Sequence, residues 1–482
     1  MSVALPSKLL YQSKVESAAA RSFRSNIQPQ NGTGTYYQGD TITINIPTRN
    51  NLVLVPSESY LKFTATITNS AAENDYIRLD SCGSHGFIQR IRCFSGSNLI
   101  SDIDNYGMLA KILMDIQVPT DSTYGKYSVL AGTRHDMTTE LPTFTLAADA
   151  DAAAVRTAVI GLNAAQMSVY QTNNGAKLNT AAIAANGTVT GTYCISLISL
   201  VGSLCSEKYI PLYAMTSAPL RVEIQLVSNT LSAVCSEIAL GTVPLQITNC
   251  EYVAQMIELS DAAIATIEAQ RGGGPLQFAV TDFRNYASTS NGQVSTASST
   301  SFAVPIPAKF SSLKSIFIAT RVSAKTGAIT YFPFSTNKFL ISDYSFRVGS
   351  QVMPSKNPNS PVEMFAECMK AIGSLGDYNH QPSIDKLSYE QDFPTVNDDT
   401  ATTTGTVSSG SFIIGLDLEN YSGSDRTSIF AGWNSNTDDI YFNPTYAAQA
   451  GTGSASTTLR FDAFAMFDSV FVCANNTAYV EF

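Results

Sequence analysis

Charged residues make up only 14% of this 482-residue chain, histidine occurs three times and tryptophan once. The formal net charge is −10, so the surface is not built to neutralise phosphates, since non-specific nucleic-acid affinity rests on Lys and Arg displacing counterions. None of His85, His135 and His380 stands beside a Ser or Cys in a nucleophile elbow, which argues against a catalytic triad. No P-loop, HExxH or strand-to-helix GxGxxG occurs. A glycosidase needs two facing carboxylates, yet Asp and Glu fall mainly in turns and on outward strand faces, and Trp433 is the only Trp able to stack on a sugar ring. We expect no enzyme and no cofactor.

Metal chemistry is equally thin. The eight cysteines (82, 93, 194, 205, 235, 250, 368, 473) include no CxxC pair and no His at metal spacing. They read as buried free thiols rather than disulfides, because Cys93, Cys194 and Cys368 lie inside apolar-patterned elements. The acidic pairs Asp398-Asp399 and Asp438-Asp439 lack the alternating spacing of a calcium loop and read as solvated turns. No run approaches the roughly 20 apolar residues that span a bilayer, and no signal peptide opens the sequence. The expectation is folding in a reducing cytosol.

What is abundant is Thr, Ser, Asn and Gly beside 44% hydrophobic residues, a balance that suits short strands joined by polar turns. The organising feature is a repeat. Phe87 to Ile116 and Tyr344 to Ile372 each run from a β pattern through a Gly-Ser turn (Gly96-Ser97, Gly349-Ser350) and two apolar residues into a short helix. The helical stripes are Tyr106, Leu109, Leu113, Ile116 and Val362, Phe365, Met369, Ile372, both at i, i+3, i+7, i+10. The second helix has Ser360 and Glu363 placed for a capping box, Pro361 at N1 and Gly373 as a stop.

Two further blocks recur in order. Tyr193, Ile195, Leu197 correspond to Phe412, Ile414, Leu416, and Leu220–Ile224 corresponds to Leu459–Ala463. Three ordered blocks predict two copies of one all-β domain.

The chain then divides as follows. Residues 1–35 read as an N-terminal arm: the first 26 residues hold Lys8, Lys14, Arg21 and Arg24 against Glu16, a charge of +3 that leaves −13 on the remainder. It is either a frayed terminus or a docking arm for an acidic neighbour or an anionic membrane surface. Residues 36–259 form the first sandwich, with strands such as 60–68, where Leu61, Phe63, Ala65 and Ile67 alternate with polar residues. Within it, residues 146–192, rich in Ala, Thr, Asn and Gly, form a surface excursion with a small hairpin. Residues 260–275 are a linker: Ser260 caps a helix that ends in Gly272-Gly273-Gly274-Pro275. Residues 276–482 form the second sandwich, with the strand at 479–482 tied into a sheet.

This organisation resembles the double jelly-roll major capsid proteins of icosahedral DNA viruses and phages. Two all-β halves with a helix in a loop carry the resemblance, together with Ile210-Pro211-Leu212 followed by Pro219–Ile224, which looks like the run entering a late strand of the family's first roll. The resemblance implies a homotrimer forming a pseudo-hexagonal capsomer, long loops outside and the N-terminal region inside. Lys8, Lys14, Arg21 and Arg24 would then line the inner surface. It also implies a virion protein assembled in the host cytoplasm, with neighbouring capsomers and penton or minor capsid proteins as partners, no sequence-specific nucleic-acid binding, and a membrane beneath the shell left open. The competing readings are a carbohydrate-binding or adhesin β-sandwich, which would show exposed aromatic platforms, and a single-stranded RNA virus coat protein, which would carry a more basic arm.

Overall fold

The computed structural model describes residues 20–32, 34–68, 77–133, 176–177, 187–205, 207–236, 244–294, 298–322, 332–377, 379–394, 409–420, 431–448 and 457–481. In its first half, β1 (Ala20–Ile27), β2 (Thr35–Tyr37), β3 (Thr41–Asn45), β4 (Leu52–Thr68), β5 (Ile77–Leu79), β6 (Ile88–Ser95) and β7 (Asn98–Asp104) lead into α1 (Tyr106–Gln117), α2 (Thr120–Tyr124) and α3 (Lys126–Ala131). After these come β8 (Ala176–Lys177), β9 (Thr188–Ile195), β10 (Leu220–Leu226), β11 (Val234–Ser236), β12 (Leu245–Leu259) and then α4 (Asp261–Arg271). One sheet runs β1-β12-β4-β9 with β2 also on β12, the second runs β3-β10-β6-β7, and a small β11-β5-β8 sheet lies apart.

The second half contains β13 (Leu276–Val294), β14 (Thr300–Ser301), β15 (Val304–Ile306), β16 (Leu313–Val322), β17 (Ile341–Val348) and β18 (Gln351–Met353). Next are α5 (Pro361–Ile372), α6 (Lys386–Glu390), β19 (Ile413–Asp417), β20 (Ile440–Tyr446), β21 (Thr457–Ala474) and β22 (Thr477–Glu481). Its sheets are β13-β21-β16-β19, with β22 on β21, and β20-β17-β18 with β14 and β15 on the free side of β20.

The two halves match strand for strand. β13 stands where β1 and β2 stand together, β14 and β15 for β3, β16 for β4, β17 for β6, β18 for β7, β19 for β9, β20 for β10 and β21 for β12. Each half is therefore a two-sheet jelly roll with a short helix in one loop. Alternation does the folding work: Leu61, Phe63, Ala65 and Ile67 of β4 and Leu220, Val222, Ile224 and Leu226 of β10 point into one core between the sheets. The Gly-Ser turns joining β6 to β7 and β17 to β18 are two-residue hairpin loops whose glycines sit at φ 58° and 57°. That left-handed first position strongly favours glycine.

Three expectations change. The expected arm already enters the sheet at Ala20, because β1 pairs along its whole length with β12 and occupies the place of β13. The excursion ends before Thr188, since β9 pairs with β4 from Thr68↔Thr188 to Leu61↔Ile195. Most of the rest of that excursion lies outside the described residues. The third repeat block is mispaired: Leu220–Ile224 lies in β10 and Leu459–Ala463 in β21, which belong to different sheets of their rolls. The true counterpart of β10 is β20. Short alternating strands look alike in sequence, so partner choice is settled by the sheet.

Candidate functional site: the seam between the rolls

The two rolls meet through unlike faces. The first roll contributes β7, α1 and the turn Gly83–Phe87, while the second contributes β13, β22, and the segments 332–337 and 379–385. Val280, Phe283, Phe471, Cys473 and Ala478 of the second roll share one continuous core with Ile100, Leu109 and Leu200 of the first. A shared core of this kind resists independent motion of the halves.

Polar groups set the register of the contact. At one end, Ala478 N donates to Ser95 Oγ at 3.0 Å and Asn98 Nδ2 donates to Ala478 O at 3.2 Å. Under α1, Phe334 lies against the backbones of Gly86 and Gly107. A Cβ at either glycine would approach its ring to 2.9 or 2.7 Å, so these two positions must stay small. At the C-terminal end of α1 the second roll donates to the last carbonyls, including Met114 O, which also accepts from Val118 N at 3.3 Å. His380 Nε2 donates to Ile116 O at 2.6 Å, Ser383 N to Asp115 O at 3.0 Å and Ser383 Oγ to Met114 O at 3.2 Å.

Inside the seam is a buried ionic cluster. Lys111 Nζ lies 2.9 Å from Asp115 and 3.5 Å from Asp80, and donates to Ser81 Oγ and, across the seam, to Ser411 Oγ at 3.4 Å. Although burial works against its charge, the two carboxylates hold the Lys111 pKa above the ordinary value. Asp282, on β13 facing Ser101 of β7, is raised to about 6, chiefly by burial and further by Asp102, against the opposing pull of Arg284. A cavity of about 400 Å³ opens between α1 and β13, lined by Leu113, Gln117, Leu204, Phe278, Phe283 and Lys314. The arrangement holds two bodies in one orientation.

Those of the screened catalytic and metal candidates that are described make structural contacts. His85 is buried, held 2.9 Å from Tyr106 Oη, and burial depresses its pKa to about 4. Asp438 accepts from Trp433 Nε1 at 2.9 Å and Asp439 pairs with Lys309 at 2.9 Å. His135 and Asp398-Asp399 lie outside the described residues, as do Lys8 and Lys14. No group of three potential metal ligands occurs among the described residues. Arg21 and Arg24 are exposed on β1, where Arg24 lies over the Tyr60 ring at 5.9 Å, so they belong to a strand of the sheet rather than to a separate arm.

The seam residues were largely missed in the sequence. Lys111 and Asp115 were the available signal, a charged pair at i, i+4 inside an otherwise apolar helix. Phe334, His380 and Ser383 sit in irregular segments that periodicity does not reach.

Neither a family model nor a curated protein matches the sequence. Solved structures do. A chain of the Sputnik virophage structure superposes with TM-score 0.57 at 10% identity over 100% of this chain and 93% of that one. The PBCV-1 virus capsid gives 0.54 at 9% over 98% and 99%, and the mavirus major capsid protein 0.51 at 12% over 100% and 95%. The chain has the double jelly-roll fold of these viral major capsid proteins.

Proposed function

We propose that this chain is a non-enzymatic structural protein, the major capsid protein of an icosahedral virion, and that it works as a homotrimer with a pseudo-hexagonal outline. The observation that carries this is the seam itself. It joins two copies of one roll through unlike faces, so each chain ends with one face of each kind unused. Heterologous contacts of that sort add head to tail until a ring closes, and with two rolls per chain three chains make six. Six similar but non-identical rolls present comparable edges to six neighbours, which suits tiling of a nearly flat facet by one protein.

Residues 1–19, with Lys8 and Lys14, remain the part of the proposed arm that precedes β1, and we assign them to assembly contacts on the inner side of the shell. Neighbouring capsomers are the first partners this requires. Negative-stain imaging of the purified protein tests the reading: hexagonal particles of about three chain masses support it. Monomers at micromolar concentration would sink it.

A further inference from the structure

Resting on the trimer reading, we propose that the exposed groove between α5 and α6 is the docking site for the first roll of a second copy, received at its β1 edge, as α1 receives the second roll within the chain. The groove has a volume of about 270 Å³ and an apolar floor of Val362, Phe365, Ile384 and Tyr389, with Lys386 and Glu390 on its rim. Val362 is 72% exposed and Leu387 on α6 is 56% exposed, while Val352 on the neighbouring β18 is 55% exposed. Apolar side chains gathered at one end of a roll mark an interaction surface rather than random surface variation.

The occupant follows from the internal repeat. Tyr106 and Leu109 on α1 are the counterparts of Val362 and Phe365, and both are fully buried: Tyr106 Oη is held inside the first roll by His85 and the Ile198 N–H, while Gly107, Lys111 and the last carbonyls of the same helix meet the second roll. Next to α1, on β7, the second roll seats its β13 side. The matching side of the first roll, along β1, is bare: Arg21, Ser22, Arg24 and Asn26 are all exposed. The ionic pairs tell the same story. Lys62 on β4 pairs with Glu251 on β12, and Lys314 on β16 pairs with Asp468 on β21, the matching strands of the two rolls. The lysine side chain is 39% exposed in the first pair and 4% in the second, where Lys314 lines the seam.

Charge agrees with this pairing. Residues 351–394 carry three lysines against six carboxylates, whereas residues 20–37 carry Arg21 and Arg24 and no carboxylate. Opposite-sign faces steer association and disfavour groove-to-groove contact.

The test uses the full chain, with mass by gel filtration and light scattering and folding by circular dichroism. Wild type is expected at about three chain masses, and Val362→Asp at one, folded and melting normally. Arg24→Glu probes the other half of the contact and is expected to weaken self-association by about tenfold or more. If Val362→Asp should misfold, Arg24→Glu decides alone, and a folded Arg24→Glu trimer of undiminished stability then overturns the assignment. A folded Val362→Asp chain that remains a trimer overturns the groove assignment while leaving the trimer reading intact. A monomeric wild type overturns both.

Discussion

Helices α1 and α5 begin from the same sequence pattern and end in opposite environments. Ten of the twelve residues of α1 are buried, against four of the twelve in α5. Each follows a strand-turn-strand unit with the same left-handed glycine, and each presents the same four-residue apolar stripe. The difference is position. α5 packs one face on β19, where Gly415 admits Cys368 and Ala371, and leaves Val362 outside. α1 stands between the rolls and is enclosed.

Their ends differ accordingly. α5 is self-sufficient: Ser360 Oγ accepts from Glu363 N, and Gly373 closes the helix at φ 77°. Its capping box is only partly made, because Glu363 Oε2 accepts from Asn359 N instead of the cap residue. α1 starts at Asn105 with φ 51° and no side-chain cap, and its last carbonyls depend on Ser383 and His380.

The comparison can be broken most severely at the enclosed helix. Leu109→Asp places an unpaired charge in the shared core and is expected to cost more than about 4 kcal/mol, giving little folded protein by circular dichroism. Phe365→Asp at the matching position of α5 should retain a cooperative thermal transition. Comparable loss in both would mean that the two helices are equally essential to the folded monomer.

Next in size is the ionic cluster. Lys111→Ala leaves Asp80 and Asp115 buried without their cation, with an expected loss of about 3–5 kcal/mol in urea unfolding. Lys370 on α5, paired with Glu367 at the surface, should lose less than about 1 kcal/mol on the same substitution.

Asp282 works in the other direction. Its folded pKa of about 6 exceeds the ordinary 3.8, so between these values the folded chain holds a proton that the unfolded chain has released. Stability from this group is fully present below about pH 4 and is lost as pH rises through 6. Asp282→Asn should therefore raise stability at pH 7.5, by at most about 3 kcal/mol, and leave it nearly unchanged at pH 4. His85 has the opposite slope, because its folded pKa of about 4 lies below its ordinary 6.5. Melting curves of the Asp282 variant across pH 4–8 isolate its share, and a variant equally stabilised at pH 4 and 7.5 would exclude titration as the cause.

The smallest effect is expected away from the seam. Replacing residues 146–175 by a short Gly/Ser linker keeps the β5–β8 pairing and should change stability by less than about 1 kcal/mol, since closure entropy varies slowly with loop length. A collapse comparable with Leu109→Asp would place that excursion in the core. Removal of residues 1–26, by contrast, would now take most of β1 with it, so truncation at residue 19 is the cut that isolates the arm.

The repeat was legible because strand alternation and the helical stripe are local properties, and because the Gly96 and Gly349 turns impose the same backbone requirement twice. Tyr193–Leu197 and Phe412–Leu416 were legible for the same reason and fall on matching strands. The β10 match failed because an Arg-x-acid pair within an alternating strand satisfies either sheet: Arg221 contacts Glu223 at 3.2 Å and Arg460 contacts Asp462 at 2.9 Å in different places of the fold. Ala20–Ile27, assigned to the arm from the sequence, has only Phe23 and Ile27 as large apolar residues, so its strand pairing depends on β12 rather than on its own pattern.

Local chemistry by itself therefore determined the all-β class, the duplication and the capped linker helix, since each rests on neighbours within a few residues. Only the tertiary structure decided which α helix is enclosed, why Lys111 can be buried and which faces are left bare. Those outcomes depend on contacts between residues up to about 380 positions apart, such as Ser95 with Ala478, and no local pattern encodes such a meeting.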